Sequence, residues 1–318
     1  MTLNTRPQPD AIWRAVDIVC DAPTLLLMES VWLGTRRFDE FQRITGLMKA
    51  VVSARLKKLV AAGVLKKRLY CEKPKRYEYI LDEKGAALFP VALMMLRWEQ
   101  AWNASPERIS VKLRHRHCGQ NMSPICVCSH CSEEVQATDV TRSVHEHANT
   151  GAAGYMKRRR QAGLVKSRSG GTMLFDEISE IFGDRWSTLM LRAAFMGTSR
   201  YDGFLKETSV STNILTTRLN WLIEKKLFTR KAYQKNPERY DYKLTSKGLG
   251  LYPILLFLLQ WGEECFGDGA APSMILKHKT CRRPLRAIAV CSACRRQLTI
   301  ESLEVTDMNM TQSSKREL

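Results

Sequence analysis

The chain has 318 residues, 44% of them hydrophobic and 26% charged, which is enough for two or three domains with their own cores and too apolar for a disordered polyelectrolyte. Fifty lysines and arginines face 32 acids, and the net charge of +18 points to a polyanionic partner, although a plain basic surface gives the same count. No apolar run reaches the roughly 18 residues of a membrane span, and residues 1–10 lack the apolar centre of a signal peptide, so the expected location is the cytoplasm, with ten cysteines free or metal-bound rather than in disulfides.

The sequence repeats itself at one offset. A shift of 163 positions places Asp21 on Asp184, Gly34-Thr35 on Gly197-Thr198, Arg55-Leu56 on Arg218-Leu219, Arg76-Tyr77 on Arg239-Tyr240, Lys84-Gly85 on Lys247-Gly248 and Trp98 on Trp261. The register holds without a gap from about residue 12 to 140. Such a period is too long for a solenoid, so each copy is predicted to be a domain and the chain an intramolecular pseudo-dimer. Pairing with a second chain stays open.

Taken along the chain, the first copy occupies 10–104 and is followed by a small cysteine-rich module at 110–140. A flexible basic linker, 141–172, carries five glycines and the run Lys157-Arg158-Arg159-Arg160. The second copy occupies 173–267, with its own module at 273–305. Both copies read alike. In the second, apolar spacing predicts one helix over Ile178–Phe195, broken by Gly197-Thr198. Asp202 is placed to cap a short helix, and Ser211–Lys225 has Ile214, Leu215, Leu219 and Leu222 on one face. A hairpin follows, Phe228–Tyr233 and Arg239–Leu244, with Tyr240, Tyr242 and Leu244 alternating with polar residues. Pro253 suits the first turn of a last helix running through Trp261, and the apolar last helices of both copies are expected to hold the copies together. The predicted fold class is α+β, mainly α: two winged helix-turn-helix domains in tandem, each followed by a zinc-ribbon-like module.

Within each module the repeat keeps four metal-ligand residues and changes their neighbours. The first copy has His115, Cys118, Cys128 and Cys131; the second has His278, Cys281, Cys291 and Cys294. His117, Cys126 and His130 become Thr280, Ala289 and Ala293. H-x-x-C, nine residues, then C-x-x-C supplies three thiolates and an imidazole, a set that suits tetrahedral Zn2+ and leaves no coordination position for water. Two structural zinc sites are expected, one within each copy. Cys20, Cys71, Cys126 and Cys265 have no matched partner and read as packing or surface residues.

Gly183-Asp184-Arg185-Trp186, Leu189-Met190-Leu191-Arg192, Arg200-Tyr201, Leu215-Thr216-Thr217-Arg218-Leu219 and Pro237-Glu238-Arg239-Tyr240-Asp241-Tyr242 resemble the HxlR-type bacterial transcription regulators over about residues 175–265. The first copy resembles them more distantly, with Pro23 in place of Trp186 and Met48 in place of Ser211. The resemblance implies homodimeric winged-helix DNA binders, many with an oxidant-sensing cysteine near the N-terminus. The comparable places here hold Asp10 and Met173, so that property is not carried over.

In a winged helix-turn-helix the second helix of the motif enters the major groove. Its outward face in the second copy offers Ser211, Thr212, Asn213, Thr216, Thr217 and Asn220, neutral hydrogen-bonding groups able to read base edges. In the first copy Lys49, Ser53 and Lys57 occupy that face, better suited to phosphate. The wing tips add Lys73, Lys75 and Arg76 in one copy and Lys235, Asn236 and Arg239 in the other. The expected function is a sequence-specific double-stranded DNA-binding regulator, a repressor by preference, with two unlike reading heads. A small-molecule effector would fit such a protein, but no residue pattern names one. The alternative is a module that binds polymerase or another protein, since winged helix plus zinc ribbon also resembles archaeal transcription factor E in architecture. No phosphate-cradling glycine loop, open metal position or catalytic triad supports an enzyme.

Overall fold

The computed structural model describes residues 11–103, 110–144, 174–267 and 274–309. In chain order the elements begin with helices α1 (Ala11–Val19), α2 (Ala22–Trp32), α3 (Phe38–Thr45) and α4 (Lys49–Ala61). Strands β1 (Leu65–Glu72) and β2 (Lys75–Leu81), helices α5 (Glu83–Ala87) and α6 (Phe89–Trp102), and strands β3 (Ser110–His115), β4 (Asn121–Met122), β5 (Pro124–Cys128) and β6 (Val140–Val144) follow. The second half holds α7 (Asp176–Gly183), α8 (Arg185–Phe195), α9 (Tyr201–Thr208), α10 (Thr212–Glu224), β7 (Phe228–Lys235), β8 (Glu238–Leu244), α11 (Ser246–Leu249), α12 (Tyr252–Phe266), β9 (Met274–His278), β10 (Ala287–Cys291) and β11 (Leu303–Asn309). Thr141–Val144, expected to begin the linker, is strand β6; positions 145–172 lie outside the described residues.

These elements form two units, each a mosaic of both copies. Among the described residues, the first unit holds 17–103, 110–127, 174–183 and 288–309, and the second holds 11–16, 128–144, 184–267 and 274–287. The chain therefore changes unit inside each predicted tail module, between 127 and 128 and between 287 and 288. In the first unit β11 pairs antiparallel with β3, Leu303 opposite His115, and β4 returns along β3. In the second unit β6 pairs antiparallel with β9, Val140 opposite His278. The two pairings are the same pairing under the 163-residue shift.

Each unit builds its winged helix the same way. In the first, α4 buries Val52, Leu56 and Leu59 at helical spacing, and β1 and β2 form the wing. In the second, α10 buries Leu215, Leu219 and Leu222, and β7 and β8 form the wing. A buried aspartate fixes the reading helix in both. Asp21 caps α2 by accepting from the Thr24 backbone N–H at 3.1 Å, and it accepts from Arg55 Nε of α4 at 2.7 Å. Asp184 caps α8 by accepting from the Ser187 backbone N–H at 3.0 Å, and it pairs with Arg218 Nε of α10 at 3.0 Å. One carboxylate thus satisfies a helix's open N-terminal donors and ties the reading helix to it. Gly85 and Gly248 lie where a Cβ would come within 2.1 Å of the Val64 carbonyl oxygen and 2.3 Å of the Leu227 carbonyl oxygen, so the repeated Lys-Gly pair marks a close backbone crossing.

The single helix expected over Ile178–Phe195 is two helices. Asp184, in extended conformation at φ −103° and ψ 106°, ends α7 and caps α8, and the two belong to different units. Asp202 lies in the first turn of α9, whose cap is Arg200.

In the first unit, α7 is held by two buried carboxylates. Glu29 of α2 accepts from the backbone N–H groups of Leu174 and Phe175 at 3.0 and 3.3 Å, and Glu99 of α6 accepts from that of Ile178 at 2.7 Å. Burial first, then the nearby Glu99 and Asp176 charges, push the Glu29 carboxyl up to about 7 against the two backbone donors. In the second unit Arg192 and Gly262 stand at the matched positions.

Two outcomes follow from this packing. Asp184→Ala should destabilise the chain by about 1–3 kcal/mol in urea denaturation, because it removes a cap and leaves Arg218 without its partner. Because Glu29 holds its proton more tightly folded than unfolded, its contribution is full below about 4.5 and is lost as pH rises to about 7. Glu29→Gln should flatten the stability–pH curve in that window by up to about 3 kcal/mol, measured by denaturation at pH 5 and 7.

Candidate nucleic-acid interface and metal clusters

All 15 residues expected to meet DNA are exposed. Lys49, Ser53 and Lys57 recur along the outer face of α4, and Lys73, Lys75 and Arg76 occupy the tip of the first wing. In the second unit, Thr212, Asn213, Thr216, Thr217 and Asn220 lie on the outer face of α10, Ser211 precedes it, and Lys235, Asn236 and Arg239 form the wing tip.

The α10 polar groups are not equivalent. Ser211 is the N-cap, and its Oγ accepts from the Ile214 backbone N–H at 3.4 Å. The Thr216 hydroxyl bonds Tyr201 Oη at 3.0 Å, and the Thr217 hydroxyl donates back to the Asn213 carbonyl at 2.8 Å. Among the described residues, Thr212, Asn213 and Asn220 keep their side-chain donors and acceptors uncommitted. Sequence alone treats these six as one set, because hydroxyls that close local turns look like hydroxyls that face outward.

The wings carry cation–aromatic pairs that the sequence reading missed. Arg37 stacks over Tyr70 at 4.9 Å and Arg200 over Tyr233 at 4.8 Å. The same arginines bridge to β2 and β8, at Glu78 and Asp241. The signal was present, since both pairs match at the 163-residue shift. They join the outer half of each wing to the start of α3 and α9.

The eight predicted ligands are brought together, but crosswise. His115 and Cys118 of the first copy meet Cys291 and Cys294 of the second in the first unit; Cys128 and Cys131 meet His278 and Cys281 in the second unit. The quartets expected within each copy do not form, and the strands explain why. After Cys118 the chain turns back along β3 as β4 and continues as β5. At about 3.3 Å per residue this extended run carries Cys128 away from His115. The partner for His115 is supplied instead by the tail of the other copy, whose β11 lies along β3.

Four knuckles share one backbone geometry. In each, the N–H of the residue after the second ligand donates to the carbonyl of the first: Gly119 to His115 and Ser132 to Cys128 at 2.8 Å, Arg282 to His278 at 2.7 Å, Arg295 to Cys291 at 2.9 Å. Each donor is left-handed, at φ 68°, 60°, 58° and 61°. Three of the four are not glycine, a backbone cost accepted at each. The turn aims the next N–H groups at sulfur. A backbone N–H from Arg283 lowers the Cys281 thiol to about 7, and one from Arg296 lowers Cys294, whereas burial raises Cys131 and Cys291. Burial first, then the His117 and Arg296 charges, lowers the His115 imidazole. His115 and His278 both turn Nδ1 toward the thiols.

In the first cluster, Cys118 Sγ lies 3.5 Å from His115 Nδ1 and 3.9 Å from Cys291 Sγ, with Cys294 Sγ 3.2 Å from the imidazole. In the second, Cys281 Sγ lies 3.6 Å from His278 Nδ1 and 3.9 Å from Cys128 Sγ, with Cys131 Sγ 3.3 Å from the imidazole. Two Cys3His clusters of this kind could each hold a metal ion.

Comparison with known proteins agrees with the fold. The family model for the HxlR-like helix-turn-helix matches twice, at residues 18–107 and 181–269. An uncharacterized HTH-type transcriptional regulator of Mycobacterium tuberculosis is 34% identical over 139 residues, covering 44% of this chain and 88% of that protein. The HTH-type regulator YvaP of Bacillus subtilis is 36% identical over 90 residues, 28% of this chain and 83% of its own. A solved structure of a candidate transcription factor from Pseudomonas aeruginosa is 30% identical, with a TM-score of 0.33 over 45% of this chain and 97% of that one. With two winged helices, outward-facing reading helices and the family model matched in both copies, the chain belongs to the HxlR-like helix-turn-helix family and is a transcriptional regulator with a helix-turn-helix DNA-binding domain.

Proposed function

We propose that this regulator is a repressor that reads an asymmetric duplex site with two unlike heads, each braced by a structural zinc ion. The contrast between the two outer faces carries the reading. On α10, Asn213 and Asn220 are exposed and uncommitted, and an asparagine amide can pair bidentately with adenine. On α4 the same face presents Lys49 and Lys57, which neutralise phosphates without selecting a base. Repression needs only occupancy of a promoter, and no third surface has to be invoked. Selection of bound sequences from random duplex DNA tests the reading: a specific half-site beside a degenerate one supports it, and a perfect palindrome contradicts it.

Mutation separates the heads. Asn213→Ala should relax base preference in one half-site at about 1–3 kcal/mol, and Thr216→Ala should do less, because its hydroxyl is already held by Tyr201. Lys49→Ala should weaken all sequences alike and reduce the salt dependence of log K by about one unit, read from a titration series in salt.

Support for zinc comes from the cluster distances. A tetrahedral zinc with bonds of about 2.3 Å to sulfur and about 2.0 Å to nitrogen separates its ligands by about 3.8 Å for two sulfurs and about 3.5 Å for sulfur and nitrogen. The observed 3.9 Å and 3.2–3.6 Å fall near those values. Four protein ligands fill the shell, which makes the role structural. Crosswise membership gives a discriminating outcome for metal analysis. Cys118→Ser with Cys291→Ser should cost one ion per chain, and Cys118→Ser with Cys128→Ser should cost both. Quartets closed within each copy would give the reverse.

A further inference from the structure

We propose that the second unit contains a binding site for a small apolar organic acid, an aromatic carboxylate in particular. A partly open cleft lies between α8, α12, β6 and β9. Its walls are apolar: Phe195 and Met196 at the end of α8, Leu255 and Leu259 on α12, Leu276 on β9. Two arginines enter this lining, Arg192 and Arg142, and no carboxylate does among the described residues. Apolar walls with two guanidiniums and no acid select a ligand that is hydrophobic over most of its surface and anionic at one end.

The rim is shaped for the second arginine. Arg142 Nη1 donates to the Phe195 carbonyl at 2.6 Å. Its Nη2 lies against Gly197, where a Cβ would come within 2.5 Å, and Gly197 is left-handed at φ +91°. Glycine there leaves room for the guanidinium, one of whose five N–H donors is spent on the carbonyl. Arg192 lies over the Trp13 ring at 5.9 Å, which places an indole next to the site.

The matched place in the first unit is built differently. Glu29 stands for Arg192 and Val305 for Arg142; Trp32 and Phe175 stand for Phe195 and Ile12. The Trp32 and Phe175 rings meet edge to face at 6.2 Å, and Glu29 is committed to the α7 backbone. An anionic ligand suited to the second unit meets a carboxyl and larger rings there, so the site occurs once per chain.

Isothermal titration of the full chain with 1-naphthoate and its neutral isostere 1-naphthamide tests this. One naphthoate should bind per chain, at least tenfold tighter than the amide, with quenching of tryptophan emission. Arg142→Gln and Arg192→Gln should each weaken naphthoate tenfold or more, and Leu255→Trp, which fills the cleft, should abolish binding. The amide comparison uses the unaltered chain and does not depend on how the variants fold. No naphthoate binding at millimolar concentration, equal affinity for the amide, two ions bound per chain, or affinity untouched by Leu255→Trp would each overturn the proposal.

Discussion

Crosswise exchange is the constraint on which the molecule rests. Each ligand cluster needs an H-x-x-C knuckle from one copy and a C-x-x-C knuckle from the other, and the strand beside the first knuckle arrives with the second. What exchange changes is connectivity. Every unit owns a complete winged helix but borrows its closing strand, two of its four ligands and, in the first unit, helix α7. The copies are sequential domains on the page and inseparable ones in space.

Against that shared frame the two winged helices have drifted in a patterned way. What holds the reading helix is kept: Asp21 with Arg55, Asp184 with Arg218, and the glycines at 85 and 248 where backbones cross. What faces outward has changed from lysines on α4 to amides and hydroxyls on α10. Two identical subunits cannot diverge in this manner, since each substitution appears in both. Covalent linkage removes that restriction while the internal braces continue to fix where the helix points. The same freedom has acted inside, where a buried carboxyl, Glu29, and a guanidinium, Arg192, occupy one matched position.

Much of this was legible in the sequence because it depends on local spacing. The helical period of Leu215, Leu219 and Leu222, the alternation of Tyr240, Tyr242 and Leu244, and the survival of eight ligands through the repeat all report short-range geometry. The partnership of the knuckles did not. Two identical H-x-x-C segments and two identical C-x-x-C segments admit two pairings with the same residue types, and only the course of β4 and β5 decides between them. The break at Asp184 was hidden for a related reason: the apolar period continues across it, and an aspartate that caps a helix resembles one on a helix surface. The commitment of Thr216 to Tyr201 is a tertiary contact with no periodic trace.

The knuckle at His115 and Cys118 also has a history in time. Synthesis runs from the N-terminus, and domains ordinarily fold as they emerge. Here the first winged helix leaves the ribosome with an imidazole and one thiol of its cluster and an unpaired edge on β3, and the missing strand and two thiols lie some 170 residues further on. At roughly 5–20 residues per second that is a wait of about ten seconds or more. During that interval the nascent chain presents half of a Cys3His cluster and an open strand edge to its surroundings, including the tails of neighbouring nascent chains on the same message. Fusing the two copies shortens the search for the second tail by making it intramolecular.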